Sequence, residues 1–216
     1  MKKDKEKNKA YYICVGVLLF IVIAAAATAS VKIIQKIRYK ARYGEIIELA
    51  EKHGLDIISI EYSEASGAEI YISRKAVNSA VMEKYYCFGQ ELSGYLNGRG
   101  DVFGNDESPV PVRLTFGGVE KQPASHDTAA VCRPAPGDSK YEFTEYHIRF
   151  ETGFEGISYI KNAKRLYLLR GKLSDLKGIE NFAGLEYLYA DVDENKREEL
   201  EKKLPDCETE LVNNEQ

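Results

Sequence analysis

The sequence predicts an α+β protein with three parts: an N-terminal transmembrane helix, a mixed α+β middle domain, and a short C-terminal solenoid closed by a helical cap. Three observations carry this. Residues 11–29 hold no charged side chain. Residues 55–150 combine stretches that alternate with period two and one stretch with helical spacing. From Phe154 onward the apolar positions recur with a period of 22, the signature of a stacked array. The expected boundaries are a basic tail over 1–10, the membrane helix over 11–29, a juxtamembrane amphipathic helix over 30–54, the middle domain over 55–150, and repeats with their cap over 151–216.

The first part reads YYICVGVLLFIVIAAAATA. Nineteen uncharged residues at about 1.5 Å rise each make a helix that roughly spans a hydrocarbon core. Lysines crowd its N-terminal side, and Tyr11 and Tyr12 suit the interface. Beyond it, Ile33, Ile34, Ile37, Ala41, Ile46 and Leu49 keep roughly helical spacing, and His53-Gly54 offers a stop. One helix from Tyr11 to about His53 follows, with Ser30 as the candidate bend. Ala27-Thr28-Ala29 also fits a signal-peptide cleavage site, which would make Ser30 the mature N-terminus. The alanines, and a run from Val17 to Ser30 that no Gly or Pro breaks, favour an uncleaved anchor. Each flank carries five Lys or Arg, so the positive-inside rule leaves orientation open. A short lysine-rich N-terminus usually stays in the cytoplasm, which places the body outside the cell membrane.

Charge is unevenly spread. The net charge is −4, yet residues 1–42 carry ten Lys or Arg against Asp4 and Glu6, which leaves −12 for the remainder. A basic leader on an acidic body argues against nucleic acid as a partner, because phosphate binding needs clustered positive charge. The leader fits anionic headgroups instead.

In the middle region, residues 56–62 and 68–72 read as strands that pair across the turn at 63–67. Ser73 is positioned to cap a helix over 75–96, with Val77, Val81, Tyr85, Phe88 and Leu92 on one face. Asn97-Gly98-Arg99-Gly100 ends it. Residues 110–116 and 141–150 read as strands. The stretch 117–140, rich in Gly, Pro, Ser and Asp, reads as loop.

Chemistry-bearing motifs are weak. Cys87, Cys132 and Cys207 are widely spaced with no CxxC, so three small buried thiols are expected, with a Cys87–Cys132 disulfide as the alternative. His53, His126 and His147 show no metal-ligand spacing, and Asp101, Asn105, Asp106 and Glu107 do not match a calcium loop. Arg99-Gly100-Asp101 reads as a turn. Ser125-His126-Asp127 are sequence neighbours, which says nothing about a triad assembled in space. No phosphate loop or nucleophile elbow occurs. No cofactor, no metal and no enzymatic activity are expected.

The repeat is the sharpest signal. Phe154, Gly156, Ile157, Ile160, Ala163, Leu166 and Leu168 are echoed 22 residues later by Leu176, Gly178, Ile179, Phe182, Leu185, Leu188 and Ala190. Each unit ends in the spacing LxxLxL. Phe143, Tyr146 and Ile148 show the same spacing about 20 residues upstream, as a degenerate first strand would. This pattern resembles the internalin-type leucine-rich repeat of bacterial proteins, over residues 154–211. The family's asparagine ladder is absent: Gly171 and Asp193 stand at those positions. The resemblance implies parallel strands at 166–168 and 188–190, and a terminal cap over 193–204. In that cap Asp193 is expected as N-cap, Leu200 and Leu204 as the buried face, Pro205 as the stop, Cys207 inside, and a last strand reaching Leu211.

Strand alternation then turns Arg165, Tyr167, Leu169, Tyr187, Tyr189 and Asp191 outward. Three tyrosines, an arginine and a leucine have the composition of a recognition surface, or of a surface that packs on the middle domain. The functional expectation is a single-pass, membrane-tethered module that binds a protein partner through these residues. The alternatives are a structural component of an envelope complex acting through the long N-terminal helix, and an enzyme with its site in the middle domain.

Overall fold

The computed structural model describes residues 2–63, 65–73, 79–99, 102–105, 108–117, 128–134 and 140–212. They divide into two compact units, residues 1–44 and 45–216.

The first unit is helix α1 (Lys2–Lys52), whose last turns belong to the second. The helix begins well before Tyr11, so the basic residues 2–10 are helical as well. It is long and apolar enough to cross a membrane, and its large apolar side chains between Val17 and Ile37 are exposed. The two hydroxyls of this stretch bond back to the helix: Thr28 Oγ1 donates to Ala25 O and Ser30 Oγ to Ala26 O, each at 2.8 Å. That satisfies both without a solvent partner. The helix stops as the sequence indicates. Gly54 has φ +70°, its N–H reaches Glu51 O at 2.8 Å, and Leu55 N–H reaches Ala50 O at 3.0 Å, a Schellman closure that needs a glycine-compatible φ.

The second unit is built on one eight-stranded mixed sheet. In chain order it holds β1 (Ile57–Ser63), β2 (Gly67–Ser73), α2 (Ser79–Gly98), the short hairpin β3 (Gly104–Asn105) and β4 (Ser108–Pro109), β5 (Val112–Gly117), β6 (Thr128–Cys132) and β7 (Phe143–Ile148). Then follow β8 (Arg165–Leu173), β9 (Tyr187–Val192), α3 (Arg197–Lys203) and β10 (Glu208–Val212). The sheet order is β1-β2-β5-β6-β7-β8-β9-β10. β1 and β2 form the expected hairpin, with Ile60 opposite Ile70. β6 is antiparallel to both of its neighbours, β5 and β7, whereas β2–β5 and every adjacent pair from β7 to β10 are parallel.

Helix α2 covers one face of this sheet. Met82, Tyr85, Phe88, Leu92 and Leu96 are buried at spacings of three and four. Tyr85 stacks on Phe116 at 3.9 Å. Gly89 lets the helix approach closely, since a Cβ there would stand 3.6 Å from both Leu114 and Phe143. At the helix end, Asn97 brackets the Tyr141 backbone, donating to its carbonyl at 3.0 Å and accepting from its N–H at 2.6 Å. Ser93 Oγ also donates to the Tyr141 carbonyl. The expected Ser73 cap and Val77 contact concern residues 74–78, which lie outside the described residues, as do Gly100, Asp101, Asp106, Glu107 and the Ser125-His126-Asp127 triplet.

One strand lies where the composition indicates loop. β6 lies inside 117–140 and is buried throughout. Its sequence TAAVC is short and flanked by loop-like composition, and it shows no alternation because both faces are covered. The thiols differ as well: Cys132 is buried, Cys207 half-buried and Cys87 exposed, and all three are free. Burial pushes the Cys132 thiol up to about 12, against the Glu142 N–H that donates to its sulfur.

The 22-residue period appears as parallel pairing. Arg165, Leu166 and Tyr167 lie opposite Tyr187, Leu188 and Tyr189, and Tyr146 and Ile148 of β7 lie opposite Leu166 and Leu168. Between β7, β8 and β9 the chain returns through 3-10 turns at Glu155–Ile157 and Ile179–Phe182. Phe154, Ile157, Ile160, Leu176, Ile179 and Phe182 are all buried there. The glycine echo is not conformational: Gly178 has φ +88°, but Gly156 sits inside its turn without a positive φ.

The terminal segment is a 3-10 turn (Glu194–Lys196), then α3, with Leu200 and Leu204 buried. β10 pairs parallel to β9. Asp193 makes no side-chain capping bond. Its carboxylate sits 3.3 Å from Lys172 Nζ, a cross-strand cation that displaces the cap.

Candidate functional site

Because β7 to β10 are parallel and in register, their outward residues form two rungs across the sheet. The first is Glu145, Arg165, Tyr187, Glu208. The second is His147, Tyr167, Tyr189, Glu210. Arg165, Glu208 and Glu210 are exposed, and Tyr167, Tyr187, Tyr189 and His147 are half-buried.

Glu145 anchors the rungs. It is 5% exposed and meets Arg133 through two hydrogen bonds, at 3.0 and 3.3 Å, and His147 Nε2 at 2.9 Å. Burial alone would raise its pKa; the hydrogen bonds from His147 and Arg133 outweigh that and hold it at about 2. The same bond to Glu145 raises Arg133. His147 stacks flat on Tyr167, centroids 4.3 Å apart and planes 7° from parallel.

Arg165 crosses between the rungs. Its Nη2 donates to the Tyr167 hydroxyl at 3.0 Å, and its guanidinium lies 4.5 Å from the Tyr187 ring centroid. The bond to Tyr167 raises its pKa. The tyrosines touch in a row: Tyr167 is 5.3 Å from Tyr187 and 6.2 Å from Tyr189. Tyr187 donates to Glu210 Oε2 at 2.5 Å, and this bond raises its pKa.

Of the six residues expected outward, the structure thus brings Arg165, Tyr167, Tyr187 and Tyr189 together. Leu169 and Asp191 depart from that set. A strict offset of 22 puts them side by side, but the offset falls to 19 at Lys172 and Asp191, so β8 carries three extra residues. Gly171, at φ +81°, lies in that bulge. Leu169 is half-buried. Asp191 is 7% exposed, so it is buried and not on the surface.

Glu145, His147, Arg133 and Glu210 join the site from outside the set that the repeat pattern indicates. Glu145 and His147 lie 20 residues before Arg165 and Tyr167. Extending the outward assignment to the strand of Phe143, Tyr146 and Ile148 would have found them. Nothing in the sequence points to Arg133, because it follows β6, whose flanks have loop-like composition.

Further along the same face, Glu69 accepts from the Thr115 hydroxyl at 2.8 Å and lies 3.9 Å from Arg113. A concavity of about 300 Å³ opens there, lined by Glu61, Glu69, Arg113 and Arg133 among others. Among the described residues, no group of three or more His, Cys, Asp or Glu is placed to hold a metal ion. Compared with protein-family models, curated proteins and solved structures, the chain matches none.

Proposed function

We propose that this protein is a membrane-tethered interaction module that binds a protein partner through the outward rungs of β8 and β9, with Arg165, Tyr167, Tyr187 and Tyr189 at the centre and Leu169 at the margin. The observation that carries this reading is the tyrosine row with an arginine laid across it, half-exposed on a sheet face. Tyrosine and arginine are the residue types most enriched at binding hot spots. Their packing against one another limits the entropy lost on binding.

The same reading takes residues 154–211 as a short internalin-type leucine-rich-repeat array, with α3 and β10 as its cap. The parallel pairing at an offset of 22 supports it, and the missing asparagine ladder weighs against close kinship. Helix α1 supplies the tether, with the lysine-rich N-terminus cytoplasmic and the body outside.

Pull-down from membranes with the full chain tests the reading. Wild type is expected to recover a partner that Tyr167→Ala plus Tyr189→Ala loses; equal recovery by both overturns it. A second reading, a structural component acting through the helix, draws support from the exposed apolar side chains of α1. Replacing residues 11–29 with an unrelated apolar helix separates the two: loss of the partner would favour the helix.

A further inference from the structure

Arg165 shows what the tyrosine row accepts. Its guanidinium lies over the Tyr187 ring at 4.5 Å while donating to the Tyr167 hydroxyl. The second rung repeats that setting one step along. Tyr189 flanks Tyr167 on the side away from His147, and Glu210 is its register partner on β10, as Glu208 is for Tyr187. Among the described residues, no Arg or Lys lies over the Tyr189 ring.

Charge points the same way. Residues 43–216 carry −12. On this face Arg133 is held by Glu145, and Arg113 and Arg165 stand beside Glu69 and Glu145. Glu208 and Glu210 remain exposed at the edge. A carboxylate has acceptor capacity beyond the one bond that Glu210 takes from Tyr187. A ring face beside a carboxylate attracts a cation by its quadrupole and by Coulomb attraction together.

We propose that Tyr189, flanked by Tyr167 and Glu210, is a subsite for a cationic side chain, arginine or lysine, presented by the protein partner. This rests on the reading that the face binds a protein, and it adds the partner's chemistry.

The test uses the full chain in nanodiscs of zwitterionic lipid, with ring-labelled tyrosines followed by NMR. The probe is the blocked peptide acetyl-Gly-Arg-Gly-Arg-Gly-amide, and its citrulline analogue is the control. The arginine peptide is expected to shift the Tyr189 and Tyr167 signals, with the citrulline peptide at least about tenfold weaker. Tyr189→Leu and Glu210→Gln should each weaken the arginine peptide about three- to tenfold, while Tyr189→Phe retains binding. Equal binding of citrulline, shifts confined to other tyrosines, or indifference to both substitutions overturns the proposal. A partner that is recovered from membranes through Tyr167 and Tyr189, yet is indifferent to Glu210→Gln, would sink the cationic subsite and leave the interaction module standing.

Discussion

Glu145 is the residue whose environment has the clearest consequence. Its carboxyl is held at about 2 against an ordinary 4.5, so the folded state binds its proton less readily than the unfolded chain. A depressed folded pKa contributes stability that is fully present above about 4.5 and is lost as pH falls toward 2. Wild type should therefore melt at progressively lower temperature across that window. Glu145→Gln should remove much of that acid dependence. It should also lower stability at neutral pH by about 1–3 kcal/mol, because Arg133 keeps its charge and loses its carboxylate. A variant whose melting temperature follows the wild-type acid profile would show that another carboxylate governs it. Gly178 is a second single-residue constraint. At φ +88° its added Cβ would stand 2.7 Å from Glu155 N and 2.8 Å from Glu155 Cα, both backbone atoms that cannot swing aside. Gly178→Ala should cost about 1–3 kcal/mol in urea unfolding, whereas Gly184→Ala, with nothing within 4 Å of its added Cβ, should cost much less.

At the scale of elements, α3 and β10, proposed as a cap, give the sharpest test. The end of a parallel array exposes its apolar edge unless something covers it, and Leu200 and Leu204 are 0% and 5% exposed. Leu200→Ala should cost about 2–5 kcal/mol as a buried truncation. Glu201→Ala on the same helix, at an exposed position, should stay within about 0.5 kcal/mol. Equal midpoints for the two in chemical denaturation would show that α3 is not a cap. The elements also show what periodicity can deliver. An offset of 22 placed Leu166 beside Leu188 because both faces of β8 and β9 differ in polarity, which fixes register. The same offset failed at Asp191, since a bulge changes spacing without changing composition. β6 shows no period for a different reason, being too short and buried at every position. Asp193 has the residue type of a cap, but no local pattern reveals that Lys172, on another strand, claims its carboxylate.

For the whole molecule, packing sets where the long N-terminal helix ends and the body begins. The sequence divides there by composition, with the juxtamembrane helix set apart from the body up to residue 54. The structure divides between Gly44 and Glu45 instead. The reason is packing: Ile46 and Ala50 are fully buried and Leu55 is 5% exposed. Glu45 pairs with Arg99 at 2.9 Å and Lys52 with Glu91 at 2.8 Å. The last turns of α1 therefore belong to the core that α2 helps to build. Upstream, the apolar side chains from Val17 to Ile37 are exposed and contribute nothing to that core. A chain beginning at residue 43 should be soluble without detergent and unfold cooperatively in urea. Its midpoint should be close to that of the full chain's body in micelles. A chain beginning at residue 56 should lose at least about 3 kcal/mol, since a buried isoleucine contributes roughly 1.5–3 kcal/mol by transfer alone and the vacated groove adds to that. If the shorter chain unfolds at the same urea concentration as the longer one, residues 45–55 lie on the body without stabilising it, and the boundary belongs at residue 55 after all.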